Sequence, residues 1–254
     1  MNRLTVTVLI ENEAGDAALH CEHGLSLYLR CGPHRVLLDA GQSGIFTENA
    51  AALGCPLDDL DAVVLSHGHY DHADGLPALL ERNRSVRVYA RPAVMAPQYS
   101  GERYIGLRPE LTGPYAGRFD LSDEPRALLP GLWLLPDEVE HEQSLVAETP
   151  DGLVVMNSCC HAGADRIIAG ICSRWPGVRI RALIGGLHLM GPGGVTTLGR
   201  EPEQVRELAR RLTGELWVEQ ICTGHCTGAP ACALLRETAP GAFTMIHTGS
   251  VLHF

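Results

Sequence analysis

An α/β fold of four layers, two β-sheets face to face with helices outside each (αββα), is predicted by three features of the sequence. Short, almost uninterrupted apolar runs such as Ala62–Leu65, Leu153–Met156 and Ile180–Ile184 recur, as expected of strands covered on both faces. Several of these runs stop at a loop carrying Gly and His and are followed by helical periodicity, the order of a β-loop-α-β unit. The pattern also occurs in two halves, each with several strands followed by alternating helices and strands. At 254 residues the chain is read as a single domain, 1–254, interrupted by an irregular insertion at about 98–130.

In order, Leu4–Ile10 reads as a strand, then a polar turn through Glu11, Asn12, Gly15 and Asp16, and strands at Leu25–Leu29 and Val36–Leu38. Gly41–Gly44 punctuates, and Ile45–Leu53 has helical spacing. The apolar run Ala62–Leu65 ends abruptly at Ser66-His67-Gly68-His69, with a helix expected over His72–Arg82 and a strand at Val86–Ala90. From Gln98 to Pro130 the chain is rich in Gly, Pro, Tyr and Arg and contains neither His nor Cys, the composition of a lid or substrate loop. Strands return at Leu132–Leu135, Ser144–Glu148 and Leu153–Met156, the last two joined by the turn Pro150-Asp151-Gly152. Helix Gly163–Ser173, strand Ile180–Ile184, helix Glu201–Leu212, strand Leu216–Cys222 and helix Ala229–Arg236 follow, and Phe243–Phe254 closes with two short strands.

Composition narrows the function. With 30 acidic and 20 basic residues the formal charge is −10, and no Arg-rich stripe interrupts it, which argues against a phosphate-backbone surface and so against nucleic acid. Every basic residue is Arg; the absence of Lys removes Schiff-base chemistry, a P-loop and a lysine general base. Nine cysteines, odd in number and irregularly spaced, suit a reducing cytosol better than a disulfide scaffold. The N-terminus lacks the basic start and long apolar run of a signal peptide, and no apolar stretch approaches ~18 residues, so a cytoplasmic protein with no membrane partner is expected. A chain this long builds its core without a metal staple, and a metal site in it reads as functional.

The chemistry is concentrated in Ser66-His67-Gly68-His69-Tyr70-Asp71-His72. On an extended loop His67 and His69 project to one side, while Asp71 and His72, at a helix start, turn toward a neighbouring point. Imidazole and carboxylate together suit a first-row ion, zinc first, with manganese or iron as alternatives. Three further histidines follow buried strands and precede glycine-containing loops: His161 in Cys159-Cys160-His161-Ala162-Gly163, His188 in Gly185-Gly186-Leu187-His188, and His225 in Thr223-Gly224-His225-Cys226. Ends of parallel strands converge on one edge, which brings these histidines toward the His67 loop. His161 and His225 are read as metal ligands and His188 as a site residue outside the metal shell. The neighbouring cysteines lack finger or ribbon spacing and read as small buried residues, Cys159 being the one best placed to touch a metal.

His67-Gly68-His69-Tyr70-Asp71-His72 resembles the H-x-H-x-D-H signature of the metallo-β-lactamase superfamily, and Leu37–Gly41 resembles the strand-turn before it. Glu22–Ser26, Leu65–Gly75, Cys160–Gly163, Gly185–Leu189 and His225–Gly228, in that order, are similar to the subgroup labelled 7,8-dihydropterin-6-methyl-4-(β-D-ribofuranosyl)aminobenzene-5'-phosphate synthase-like. The resemblance implies the αββα sandwich and one or two divalent ions, with His67, His69 and His161 on one and Asp71, His72 and His225 on the other. After Met156, where the superfamily commonly carries a bridging Asp, this chain has Asn157, Ser158 and Cys159; His141 is the candidate for the histidine before that strand.

The leading expectation is a metal-dependent hydrolase that uses a metal-activated water on an ester, phosphoester or amide of a small anionic substrate. Asp71 orients or deprotonates the water, His188 or His23 donates a proton, and Glu22, His23 and Arg108 contact substrate. The alternative is a dihydropterin-type synthase that releases pyrophosphate, with Arg103, Arg108 and Arg118 as anion-binding candidates. A third class is a metal or redox sensor built on Cys159, Cys160, Cys222 and Cys226. A small-molecule partner is expected, and a homo-oligomer is compatible with all three.

Overall fold

The computed structural model describes residues 2–254 and has the predicted four layers. The first seven-stranded sheet runs, edge to edge, Val251–His253, Leu4–Ile10, Ser26–Cys31, His34–Leu38, Ala62–Val64, Val88–Ala90, Phe119–Leu121. The second runs Phe243–Met245, Ile221–Thr223, Ile180–Ile184, Gly152–Met156, Gln143–Thr149, Leu132–Pro136, Arg126–Leu129. Each sheet is antiparallel on one side and parallel on the other, the parallel pairs being those whose C-terminal ends carry the histidine loops.

Strand alternation sorts the side chains into layers. Val6, Leu27, Leu38 and Val64 of the first sheet meet Leu145, Val154, Met156 and Ala182 of the second in the central core. Leu37, Val63 and Leu65 point the other way, under helices Phe46–Ala52 and Leu76–Arg82. Val155 and Leu183 lie under helices Ala164–Arg174, Pro202–Arg210 and Ala229–Thr238. Both faces of the central strands are therefore apolar, which is why these strands read as continuous runs.

Three expectations are corrected. The helix expected over His72–Arg82 is broken into Tyr70–Ala73 and Leu76–Arg82. Gly75 sits between them, and a Cβ there would lie 2.0 Å from the Ala40 carbonyl oxygen and 2.4 Å from that of Ser43. The first short helix is thereby pinned against the loop after His34–Leu38. The strand expected at Leu216–Cys222 is confined to Ile221–Thr223, because the preceding helix ends in a wide turn over Arg211–Glu215 and Trp217 adopts φ 53°. The segment from Gln98 to Pro130 is more ordered than its composition suggests. It holds a hairpin (Tyr99–Ser100 with Arg103–Tyr104), a helix at Pro109–Thr112, and edge strands Phe119–Leu121 and Arg126–Leu129, one for each sheet. Short edge strands gain their stability from the sheet they join and leave a weak local signal.

Candidate metal centre

Five parallel or neighbouring strands deliver the site at their C-terminal ends. His34–Leu38 leads to Asp39, Ala62–Val64 to Ser66–His69, Gly152–Met156 to Asn157–His161, Ile180–Ile184 to His188, and Ile221–Thr223 to His225. Among the described residues five non-glycine residues have positive φ, and four of them, Asp39, Cys160, His188 and His225, lie in these loops. Backbone held in that region by its surroundings commonly marks a functional site.

The donors form two adjoining groups. In one, ring nitrogens of His67, His69, His141 and His161 all lie within 4.8 Å of one another. Within it His67 Nε2 is 2.9 Å from His69 Nδ1 and 3.4 Å from His161 Nε2. In the other, Asp71 Oδ2 is 3.5 Å from His72 Nε2, 3.4 Å from His225 Nε2 and 3.3 Å from His23 Nε2. His72 Nε2 and His225 Nε2 face each other at 3.1 Å. Cys159 Sγ stands between the groups, 3.3 Å from His72 Nε2.

The proton inventory identifies what these atoms surround. Asp39 is fully buried and accepts from the Ser66 backbone N–H (2.7 Å), the Ser66 hydroxyl (2.6 Å) and His72 Nδ1 (2.9 Å). Because the Ser66 hydroxyl proton is committed to Asp39, Ser66 Oγ accepts from His67 Nδ1, 2.8 Å away. Asn12 Oδ1 already accepts from the Gly24 N–H and lies 3.1 Å from His225 Nδ1, which donates to it. A neutral imidazole carries one proton, so in that form the Nε2 atoms of His67, His72 and His225 are bare lone pairs; His225 favours its charged form in the metal-free protein, and there a bound cation would take the place of the Nε2 proton. Imidazole nitrogens and the Asp71 carboxylate thus converge on one region, the donor set of a divalent cation.

Other carboxylates hold the loops. Glu142, fully buried, accepts from the backbone N–H of Cys159 (2.8 Å) and of His161 (2.9 Å). Glu11 accepts from the N–H groups of His225 and Glu13. Sequence reading missed Glu11, Asn12 and Glu142 in these roles; the one local cue is an acidic residue directly flanking a buried strand, as Glu11 follows Ile10 and Glu142 precedes Gln143.

Of the residues expected around substrate, His23 lies beside Asp71 and His225, its ring centroid 5.0 Å from that of His225. His188 is exposed, with its ring centroid 4.3 Å from that of His161. Both Glu22 carboxylate oxygens are bonded to Ser43, one to its N–H (3.0 Å) and one to its hydroxyl (2.7 Å). Glu22 therefore braces the Gly41–Ser43 turn. Arg108 pairs with Asp74 at 2.8 Å, and the Arg103 guanidinium lies over the Tyr70 ring at 4.7 Å. Arg118 is displaced from the site: it donates to the carbonyls of Asn83 and Val86, before strand Val88–Ala90 and at the opposite end of the sheet. A cleft of about 280 Å³ opens beside His161 and His188, and Arg200 and Arg211 line it.

Burial, reinforced by the positive charge that its neighbours would add, makes the histidine group hard to protonate. His67 is held well below the usual imidazole range, His69 at about 4 and His161 at about 2. Burial pushes Glu142 up to about 8 although it accepts two amide bonds. Burial opposes charge on His225 too, but Cys226 and Asp71 outweigh it and lift it to about 9. For the metal-free protein, the unfolded chain carries more protons than the native state on His67, His69, His141 and His161 as pH falls below about 6.5. Stability then falls toward acid, with Glu142 and Glu11 opposing only in part. Above neutrality the sign reverses, because Glu142 and His225 hold protons in the native state that they lose as pH rises through about 8 and about 9. The urea midpoint of chelator-treated protein should be higher at pH ~7 than at ~5 or ~9; a midpoint at pH ~5 equal to the neutral one would contradict these environments.

A four-layer αββα sandwich with an H-x-H-x-D-H loop at the strand ends defines a class, and the chain belongs to it: the metallo-β-lactamase superfamily model matches residues 23–201. Within that class, it is 25% identical to the 7,8-dihydropterin-6-methyl-4-(β-D-ribofuranosyl)-aminobenzene-5'-phosphate synthase of Methanocaldococcus jannaschii, over 100% of this chain and 98% of the relative. It is 26% identical to an uncharacterized protein of the same organism, over 97% of this chain and 99% of that one. The crystal structure of Tm1679, a metal-dependent hydrolase of the β-lactamase superfamily, matches with a TM-score of 0.81 at 28% identity, covering 98% of each chain. The Zn²⁺-bound PqqB of Methylobacterium extorquens shares the fold, with a TM-score of 0.60 at 17% identity over 98% of this chain and 99% of that one.

Proposed function

We propose that the protein is a metal-dependent hydrolase acting on an ester, phosphoester or amide of a small anionic substrate. The observation that carries this reading is the convergence of the Nε2 atoms of His67, His72 and His225 with the Asp71 carboxylate beside an open cleft. His67, His69 and His161 would hold one divalent ion, with His141 in reach of the same point, and Asp71, His72 and His225 a second. Zinc fits the nitrogen-rich set first. When bound, such ions supply Lewis-acid polarisation of the substrate and a water acidic enough to be a nucleophile near neutral pH.

The protein's own groups do the rest. Asp71 is held well below the usual carboxylate range, burial being outweighed by His72, His225 and His23, so it stays ionised and orients a water by accepting its hydrogen bond, being too weak a base to take the proton. His23, hydrogen-bonded to Asp71 and partly exposed, links that carboxylate to solvent. His188 lies at the cleft mouth; its bond to Cys226 favours the charged ring and raises its pKa, which suits a donor to a leaving group. Arg200 at the other side of the cleft suits an anionic substituent.

The full-length similarity to a synthase supports a second reading, transfer onto a pterin-type substrate with pyrophosphate release. A panel of esters and phosphodiesters, run beside an assay for pyrophosphate release, separates the two. Turnover of a hydrolysable ester or phosphoester that is lost on chelation and restored by added zinc supports the hydrolase; pyrophosphate release with no hydrolysis refutes it. His188→Ala should lower kcat by ~10² to 10⁴ as the loss of a general acid, with metal content unchanged. Parallel loss of metal would instead make His188 a ligand.

A further inference from the structure

Arg91 follows strand Val88–Ala90 of the first sheet. Pro92 comes next and restricts its backbone to the extended form it has, φ −79° and ψ 148°. The side chain, 15% exposed, crosses to the loop 137–142, which joins strands Leu132–Pro136 and Gln143–Thr149 of the second sheet. There its Nη1 donates to three backbone carbonyls, those of Asp137 (2.9 Å), Glu140 and Glu142 (3.2 Å), while Nε donates to Asp123 Oδ1 at 2.7 Å. Three carbonyl dipoles aimed at one point repel one another, and a cation with several N–H groups offsets that repulsion. The loop gathered in this way carries two residues of the site. His141 has its ring centroid 5.2 Å from that of His69 and 5.1 Å from that of His161, and among the described residues its buried Nε2 has no hydrogen-bond partner. Glu142 holds the N–H groups of Cys159 and His161.

We propose that Arg91 is a positioning residue of the metal centre: anchored on the first sheet, it fixes the loop 137–142 of the second so that His141 faces His67, His69 and His161 while Glu142 reaches the loop of Cys159 and His161. This rests on the metal-centre reading above and adds to it the link that sets donors of one sheet against donors of the other. Arg91 does not line the cleft, and a guanidinium has no lone pair to give a metal, so it acts through the loop. Lysine is a partial substitute, because one nitrogen cannot serve the carbonyls and Asp123 together with the geometry of the planar fork.

Cobalt(II) titration of the whole protein against a competing chelator tests it, with amide hydrogen exchange of the metal-free form as a readout that needs no metal. Arg91→Ala is expected to weaken cobalt binding about 10- to 100-fold, the scale for loss of an orienting partner. It should also change the visible ligand-field bands and speed exchange at the Cys159 and His161 amides. Arg91→Lys should recover part of the affinity. Asp123→Ala removes the ion pair but leaves the three carbonyls clamped, and should bind cobalt as the unsubstituted protein does. An Arg91→Ala protein that folds by circular dichroism and binds cobalt with unchanged affinity and bands overturns the proposal and leaves the metal centre intact. If that variant does not fold, Arg91→Lys decides by the same readouts: weaker binding with altered bands supports the positioning role, and unchanged binding overturns it. Failure of the unsubstituted protein to bind cobalt overturns the metal-centre reading and the positioning role together.

Discussion

Replacing His67 and His69 together with alanine should empty the site assigned to His67, His69 and His161, leaving at most the ion assigned to Asp71, His72 and His225, and abolish any metal-dependent turnover. His67 is fully buried, and its Nε2, stripped of its proton by the Ser66–Asp39 relay, faces both His69 and His161. Losing two of the nitrogens in that group leaves too few donors to displace the hydration shell of a divalent ion. The fold should survive, because the three apolar clusters do not depend on the site; a cost of roughly 0.5–3 kcal/mol is typical of such replacements. Elemental analysis after size-exclusion chromatography, with circular dichroism as the check on folding, reads the outcome directly. Full stoichiometry in the double variant would remove the assigned metal centre.

Glu142→Ala should be the most damaging single change outside the assigned ligands. It orphans one buried backbone donor, at Cys159, and one partly buried, at His161, at up to about 1–3 kcal/mol each. It also frees the loop that carries Cys159 and His161. A fall of up to roughly 2–6 kcal/mol in unfolding free energy is expected from the two orphaned groups, along with weaker metal retention of about 10- to 100-fold, the scale seen when an orienting partner is removed. Glu142→Gln keeps one acceptor oxygen and should recover part of both losses. Chemical denaturation together with metal competition against a chelator measures the pair. An alanine variant as stable and as metal-tight as the unsubstituted protein would show that the two amide bonds do not hold the loop.

The H-x-H-x-D-H run, the strand-end placement of His161, His188 and His225, and the doubled αββα order were legible in the chain alone. Each depends on local spacing: alternation along a strand, two residues between histidines on one side of a loop, an apolar run that stops at a glycine. Edge strands Phe119–Leu121 and Arg126–Leu129 were not legible, since an edge strand is selected by the sheet it pairs with. Nor was the break at Gly75, which follows from the approach of the Ala40 and Ser43 carbonyls across the fold. The partners that set the protonation of the site lie far away in sequence: Asp39 is 33 residues from His72, and Asn12 is 213 from His225. Glu142 likewise reaches Cys159 and His161 from another loop. Residue identity and spacing thus determined which groups can bind a metal; only the packing of strand ends from both sheets decided which nitrogens lose their protons and where the cysteine sits, because hydrogen bonding and burial are properties of the assembled neighbourhood.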